Sequence, residues 1–359
     1  MMYQYWFANA SKLSKAIRIE LMETYGNAQT IYHMLEEYLK KHARIKDADK
    51  QTILEARRAW NLEAEYNKFL ESGISFTTLE QEDYPLRLRE ISNAPYAVYY
   101  IGRLPSQERR AVAIVGARGR SSYGNEIARR LAYELAQNQV EVISGLAMGI
   151  DTDAHSGALE GGGDTFAVLG GGVDICYPRQ NAFLYEQIAK QGGILSEFPI
   201  HTQPIARQFP SRNRIISGLS EAVVVVEAKY KSGSLITADF AMEQGREVYA
   251  VPGRISDPLS QGCNHLIYQG AGIVQSIEQF MEDFLSIKVS NPIQMDFRKN
   301  LLEKRESLVY SLLDFCPIGL GTLVEQSSMS LAELLPIIEH LIQLGYAKET
   351  VPNFFTRRL

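Results

Sequence analysis

Phe209-Pro210-Ser211-Arg212-Asn213-Arg214 is the sharpest chemical feature of this chain. Between Glu197 and Glu221 there is no acidic residue, while His201, Arg207, Arg212 and Arg214 fall inside. A second acid-free window runs between Glu108 and Glu126 and holds Arg109, Arg110, Arg118 and Arg120. Residues 106–285 carry fifteen Lys and Arg against twenty Asp and Glu, and seven of the fifteen lie in these two windows. Twelve are arginines, whose planar fork suits bidentate phosphate contact. An aromatic ring beside arginines suits stacking of an unpaired base, and Phe209 stands there. An equally weighted reading has Arg212 and Arg214 capping or ion-pairing neighbouring elements, with Phe209 in the core.

Three Gly- and Ser-rich segments add candidate anion sites. Gly116-Ala117-Arg118 follows an apolar run, and amides opening the next helix could hold a phosphate. A plain tight turn is the stronger reading on spacing alone. No GxGxxG and no GxxxxGK[ST] occurs, which disfavours a redox dinucleotide enzyme. Ser144-Gly145-Leu146-Ala147-Met148-Gly149 leads into Asp151, Asp153 and His155. Asp151 and His155 share a helical face but Asp153 does not, so a helix-start Asp and a structural His are expected and no metal. Ser232-Gly233-Ser234 opens another helix, as caps or as a phosphate cradle, with Lys229 and Lys231 just upstream. No GxSxG elbow is present, and no hydrolytic nucleophile or other catalytic residue is assigned.

These segments need a scaffold that places strand ends together. Short apolar runs read as strands at Ala111–Val115, Val140–Ser144, Thr165–Leu169, Ile194–Glu197, Ala222–Glu227, Glu247–Val251 and Gly272–Gln275. Helical stretches at Asn125–Gln137, Ile150–Glu160, Asn181–Gln191, Arg212–Ser220 and Leu235–Gln244 alternate with them. The alternation predicts an α/β fold, a Rossmann-like doubly wound and mainly parallel sheet. Ligands of such sheets bind at the strands' carboxyl ends, near the topological switch point.

A chain of 359 residues, 45% hydrophobic and 22% charged, is expected to hold two or three domains. We read a helical N-terminal domain over 1–100, the core over 105–285 and a small helical unit over 300–359, after a polar link at Ser290-Asn291-Pro292. Cys176, Cys263 and Cys316 are too scattered for a disulfide framework or a metal knuckle. No apolar run approaches a membrane helix and no signal peptide is recognised, so a cytoplasmic protein without membrane association or cofactor is expected. The net charge of −5 argues against a uniformly basic coat, not against a local basic patch.

Taken in order, Tyr84-Pro85-Leu86-Arg87-Leu88, VGAR (115–118), SGLAMGID (144–151), GGGVDICYP (170–178), SEFP (196–199), FPSRNRIISGLS (209–220), SGSLITA (232–238) and VPG (251–253) resemble the DNA-processing protein A family, also called DprA or Smf. The resemblance runs from about Tyr84 to Gln275. It implies a binding module rather than an enzyme. Such a module would bind single-stranded DNA in its core, protect incoming strands in natural transformation, help load the RecA recombinase, and self-associate as a homodimer. It also implies that Gly116, Arg118, Arg212, Asn213 and Arg214 line the DNA pocket. Arg207 and Phe209 are the nearest matches to a lysine and an aromatic that contact DNA in relatives. Ser144, Gly145, Gly149, Ser232, Gly233 and Ser234 would complete the strand-end site. On this view Arg118, Arg207, Arg212 and Arg214 neutralise phosphates, the glycine and serine turns supply donors, and Phe209 stacks a base.

The N-terminal region resembles the family's helical module of sterile-alpha-motif or helix-hairpin-helix type. Its fourteen basic and fourteen acidic residues over 1–105 leave no electrostatic footprint. The C-terminal region resembles a winged helix. Helices are expected at Glu306–Phe315, Leu320–Gln326 and from the Ser330–Glu333 capping box to Leu344, with a hairpin around Val351-Pro352-Asn353. Residues 330–344 contain no Lys or Arg, so protein contact or regulation is expected there rather than groove reading. The alternative function is a nucleotide-binding or nucleoside monophosphate glycosidase-like enzyme of Rossmann type. Such enzymes carry a PGGxGTxxE motif, and Val251-Pro252-Gly253-Arg254 is only its nearest text.

Overall fold

The computed structural model describes residues 1–10, 12–42, 45–285, 304–314 and 317–357. The expected link Ser290-Asn291-Pro292, Phe315 and Cys316 lie outside them. Five helices come first: α1 (Met2–Asn9), α2 (Lys15–Tyr25), α3 (Ala28–Lys41), α4 (Asp47–Ala59) and α5 (Leu62–Glu71). The turn between α2 and α3 is set by Gly26 at φ 78° and by Asn27, whose side chain accepts the Thr30 amide.

The core follows as β1 (Ser75–Thr78), α6 (Leu86–Arg89), β2 (Ala97–Gly102), β3 (Ala111–Val115), α7 (Ser122–Gln137), β4 (Glu141–Ser144), α8 (Ile150–Glu160), β5 (Thr165–Val168), α9 (Ala182–Gln191), β6 (Gly193–Ser196), α10 (Gln208–Gly218), β7 (Ala222–Val225), α11 (Gly233–Glu243), β8 (Glu247–Ala250), α12 (Gln261–Tyr268), β9 (Gly272–Ile273) and α13 (Ile277–Leu285). The strands form one sheet in the order β1-β2-β6-β5-β4-β3-β7-β8-β9. Strands β3 to β9 pair in parallel, and β1 and β2 extend the β6 edge with antiparallel pairs. The chain steps outward from β3 to β6, then returns to place β7 on the other side of β3. That reversal is the switch point of a doubly wound sheet.

Alternation along the central strands builds two cores. Val112, Ile114, Ala222 and Val224 pack with α7, α8 and α13 through Leu131, Ile150 and Phe280. Ala113, Val115, Val223 and Val225 pack with α10, α11 and α12 through Ile216, Ala238 and Leu266. All these strand residues are buried.

Two expectations are corrected. A helical domain over 1–100 is not what forms, because Ser75–Thr78 and Ala97–Gly102 pair into the core sheet. The helical part ends at α5. Tyr5 and Phe69 from it pack with Phe76, Tyr99 and Ile194 of the sheet, so the two share a core. Helix α10 begins at Gln208 rather than Arg212. Pro210 is tolerated in its first turn, where an amide hydrogen has no intrahelical acceptor. Phe209 therefore sits on a helix and not on the loop before it.

Beyond the core, α14 (Lys304–Leu312), β10 (Ile318–Gly319), α15 (Leu320–Ser327), α16 (Leu331–Gln343), β11 (Ala347–Val351) and β12 (Phe354–Arg357) pack around Val309, Leu323, Leu334, Ile338 and Phe355. The three strands are antiparallel, in the order β10-β12-β11. Ser330 and Glu333 form the capping box that starts α16.

Candidate nucleic-acid interface

The switch point opens into a cleft of about 660 Å³ at the carboxyl ends of the strands. Gly116, Ala117, Arg118 and Gly119 line it after β3, and Phe209, Pro210, Arg212 and Asn213 line it from α10. Lys229 and Lys231 follow β7, Ser232, Gly233 and Ser234 open α11, and Ala147, Asp151 and Tyr177 complete the wall. The Asn213 side-chain amide donates to the Gly233 carbonyl at 3.3 Å, tying α10 to α11. Ser232 caps α11, and its hydroxyl lies 2.8 Å from that of Ser234. The positive end of that helix dipole thus borders the cleft.

Arg212 forms the floor. Its side chain is buried, and its guanidinium donates to the carbonyls of Gly145, at 2.9 Å, and Val168. Burial draws its pKa down to about 10, with the Asp151 charge opposing, so it stays a cation at neutral pH. Asp151 accepts the amides of Gly145 at 3.1 Å and Ala147 at 3.3 Å. Burial pushes its carboxyl up, and the Arg212 charge holds it back. Glycine is required twice here. A Cβ on Gly145 would lie 2.6 Å from an Arg212 nitrogen. Gly149 has φ 84°, and a Cβ there would meet the Ala117 carbonyl oxygen at 2.3 Å. Both glycines act from behind the lining: one seats the floor, the other supports the loop that carries Arg118.

Arg118 is exposed, with its guanidinium carbon 5.7 Å from the centroid of the Phe209 ring. Arg212 stands 6.0 Å from the same centroid. Tyr177 lies 5.7 Å from Phe209, their planes 32° apart. The expected grouping of Gly116, Arg118, Phe209, Arg212, Asn213, Ser232, Gly233 and Ser234 is therefore brought together in space.

Five expected residues are not in that wall: Gly145 and Gly149, which act from behind it, and Arg214, Ser144 and Arg207. Arg214 is buried and turned away, its guanidinium held by both oxygens of Glu197 at 2.7 and 2.6 Å and by the Asn93 and Ser211 carbonyls. One α-helical step of about 100° per residue separates Arg212 from Asn213 and Asn213 from Arg214, so the two arginines cannot share a face. Ser144 is buried and donates to the Ile114 carbonyl, a strand-to-strand tie. Arg207 is exposed beside the mouth, outside the lining.

The acid-free windows also resolve differently in space. Arg109 pairs with Asp164, Arg110 with Glu221 and Arg120 with Asp153, each carboxylate coming from a distant part of the chain. Of the seven arginines in the windows, Arg118 and Arg207 alone are exposed with no ion pair among the described residues. Lys229 and Lys231 have that character too. They and Tyr177 are cleft residues that the sequence reading did not single out as site residues. The signal for the lysines was present: apart from Lys190, they are the only lysines of residues 106–285.

His155 is buried against Thr165, whose hydroxyl lies 2.7 Å from Nδ1, and burial lowers its pKa to about 3. It is a neutral core residue, in a different environment from Asp153 on Arg120. No group of three or more metal-ligating side chains occurs among the described residues. The helix start that takes pyrophosphate in dinucleotide-binding sheets is filled by the protein itself. Buried Glu227 accepts the Ser121 amide at 2.9 Å and its hydroxyl, and its carboxylate occupies the space a Cβ on Gly124 would need. The start of α11, with Ser232, Gly233 and Ser234, faces the cleft.

A doubly wound α/β domain with a cationic, ring-lined cleft at its switch point is a module of Rossmann type. The model of the family described as DNA recombination-mediator protein A matches residues 75–285, and the chain belongs to that family. It is 44% identical to DNA processing protein DprA of Streptococcus pneumoniae over 62% of this chain and 77% of that one. The X-ray structure of the Streptococcus pneumoniae protein superposes with a TM-score of 0.70 at 35% identity, covering 80% of this chain and 97% of that one. DNA processing protein A of Helicobacter pylori, solved for its single-stranded DNA binding mode, gives a TM-score of 0.54 at 30% identity over 59% of this chain and 96% of that one. No described helix is long and apolar enough to cross a membrane.

Proposed function

We propose that this protein binds single-stranded DNA in the switch-point cleft, protects incoming strands in natural transformation and helps load the RecA recombinase onto them. It does so as a cytoplasmic homodimer and as a binding protein rather than an enzyme. One observation carries the reading. The exposed cations at the carboxyl ends of the strands, Arg118, Arg207, Lys229 and Lys231, have no carboxylate partner among the described residues, while a half-buried ring lies among them. Unpaired charge beside an aromatic face is what a flexible polyanion with unstacked bases requires. The single-stranded DNA binding of the Helicobacter pylori relative supports the same reading.

Phosphates would meet Arg118 and the two lysines, with the α11 amides as further donors. A base would stack on Phe209, which Arg118 polarises from 5.7 Å. Arg212 acts from below as a fixed, desolvated positive charge. Two pockets in a dimer would engage one strand and raise its avidity. The test is competition between an unstructured oligonucleotide and duplex of equal length for the full-length protein, followed by RecA filament assembly on the bound strand. Preference for the single strand and faster RecA assembly are expected. Equal affinity for duplex would contradict the cleft as the site, and unchanged RecA assembly would remove the loading role alone.

A further inference from the structure

We infer that Tyr177 and Arg179 form an outer subsite of the cleft, where a second nucleobase stacks on the Tyr177 ring and the adjoining phosphate meets Arg179. The inference rests on the single-strand reading above and extends it by one nucleotide unit. Tyr177 lines the cleft yet remains 48% exposed, so the ring has a face left over for a ligand. It lies 5.7 Å from Phe209, close enough to continue the same stacking surface outward. Two positions on, Arg179 is exposed and has no ion pair among the described residues. A flat ring and a free guanidinium at this spacing match the alternation of base and phosphate along a strand.

The segment that presents them is well anchored. The Asn181 amide donates to the Pro178 carbonyl at 3.1 Å. The Asn181 side chain is buried, and its amide nitrogen lies 2.9 Å from both the Leu146 carbonyl and the Thr152 hydroxyl. The Tyr185 hydroxyl donates to the Val173 carbonyl from the following helix. The backbone that presents the ring and the arginine is thus tied to the loop after β4 and to α8, so little backbone ordering entropy is lost when a strand arrives.

The test uses full-length protein and a labelled dT oligonucleotide carrying one 2-aminopurine. Tyr177→Leu keeps apolar bulk but removes the ring. It should weaken binding on the order of tenfold and leave the salt slope unchanged, because stacking releases no counterions. Tyr177→Phe should restore the affinity. Arg179→Ala should reduce the salt slope by about 0.7. The 2-aminopurine signal should be quenched by the wild type more than by Tyr177→Leu. Should Tyr177→Leu fold poorly, Tyr177→Gln, which suits a half-exposed position, makes the same comparison and should lose a similar factor. Wild-type affinity and quenching in Tyr177→Leu, with binding weakened in Arg118→Ala, would overturn the subsite and leave the single-strand reading standing. No binding by the wild type at low salt would overturn both.

Discussion

The two ends of the core sheet treat positive charge differently. At the amino end, Arg87 and Arg110 share Glu221, and Arg103 and Arg109 share Asp164. Arg246 reaches Glu90 there as well. At the carboxyl end, Arg118, Arg179, Arg207, Lys229 and Lys231 are exposed without a carboxylate among the described residues. Lys190, before the amino end of β6, has no ion pair among the described residues either, and stands in the last turn of α9, where a helix C-terminus favours a cation. Arg120, Arg214 and Arg254 are paired at the carboxyl end too, with Asp153, Glu197 and Asp314, so that rim holds free cations beside paired ones, while the arginines named at the amino rim are all paired. Arginine occurs on both rims, so its presence does not separate them. What separates them is whether the fold brings a carboxylate to the guanidinium. A charge left unpaired beside a cleft is available to a ligand, whereas a paired one closes the structure.

The strongest way to break this contrast is at Arg212, the buried cation under the carboxyl rim. Arg212→Ala would leave the Gly145 and Val168 carbonyls without their donor and Asp151 without its opposing charge. Removing one member of such a buried arrangement costs roughly 3 kcal/mol. A denaturant titration should show that loss, and a midpoint equal to the wild type would contradict the floor role. Next comes Arg118→Ala, which removes an exposed group and should leave the melting temperature within a degree or two. Single-strand affinity should fall on the order of tenfold, as for one charge-assisted phosphate contact. Unchanged affinity would place the strand elsewhere.

Glu141 sharpens the amino end. It is buried, accepts the Ser106 amide at 3.0 Å, and burial raises its pKa to about 7 against an ordinary value of 4.5. The folded state then holds a proton that the unfolded state has released, so stability falls as pH rises from about 4.5 through 7. Glu141→Gln should flatten this dependence and raise the melting temperature by a few degrees at pH 8. An identical pH profile in the variant would show that other groups set it. The smallest effect belongs to Asp164→Asn, which frees Arg103 and Arg109 at the sheet's amino end. Stability should change by about 1 kcal/mol or less, and single-strand affinity should not change. Tighter DNA binding in this variant would mean that the strand also reaches the amino rim.

Much of this architecture is legible from pattern. The apolar runs of the core appear as strands β3 to β9, and β3 to β7 are buried along their whole length, as strands covered on both faces must be. Ile150–Glu160 is α8 with the same bounds as its amphipathic reading. Strands β1 and β2 escaped because Ser75–Thr78 is short and Ala97–Gly102 is preceded by Pro95-Tyr96, which reads as loop. Within the site, glycine and serine turns were legible from their positions after strands. The roles of the arginines were not. Arg212 and Arg214 are two residues apart, yet one floors the cleft and the other is locked to Glu197. Acid-free stretches in sequence say nothing of the carboxylates that topology delivers, as Asp164 and Glu221 illustrate. Tyr177 carried no signal beyond its motif, since its exposure depends on the packing of the turn through Asn181.

The most direct test of unequal rims is the salt dependence of single-strand binding, measured by fluorescence anisotropy for two paired variants. One is Arg118→Ala/Lys229→Ala at the carboxyl end, the other Arg103→Ala/Arg109→Ala at the amino end. The account predicts that the first lowers the slope of log affinity against log salt by about 0.7 for each cation removed, and that the second leaves slope and affinity unchanged. Equal losses from the two variants, or a loss confined to the amino-end pair, would contradict it.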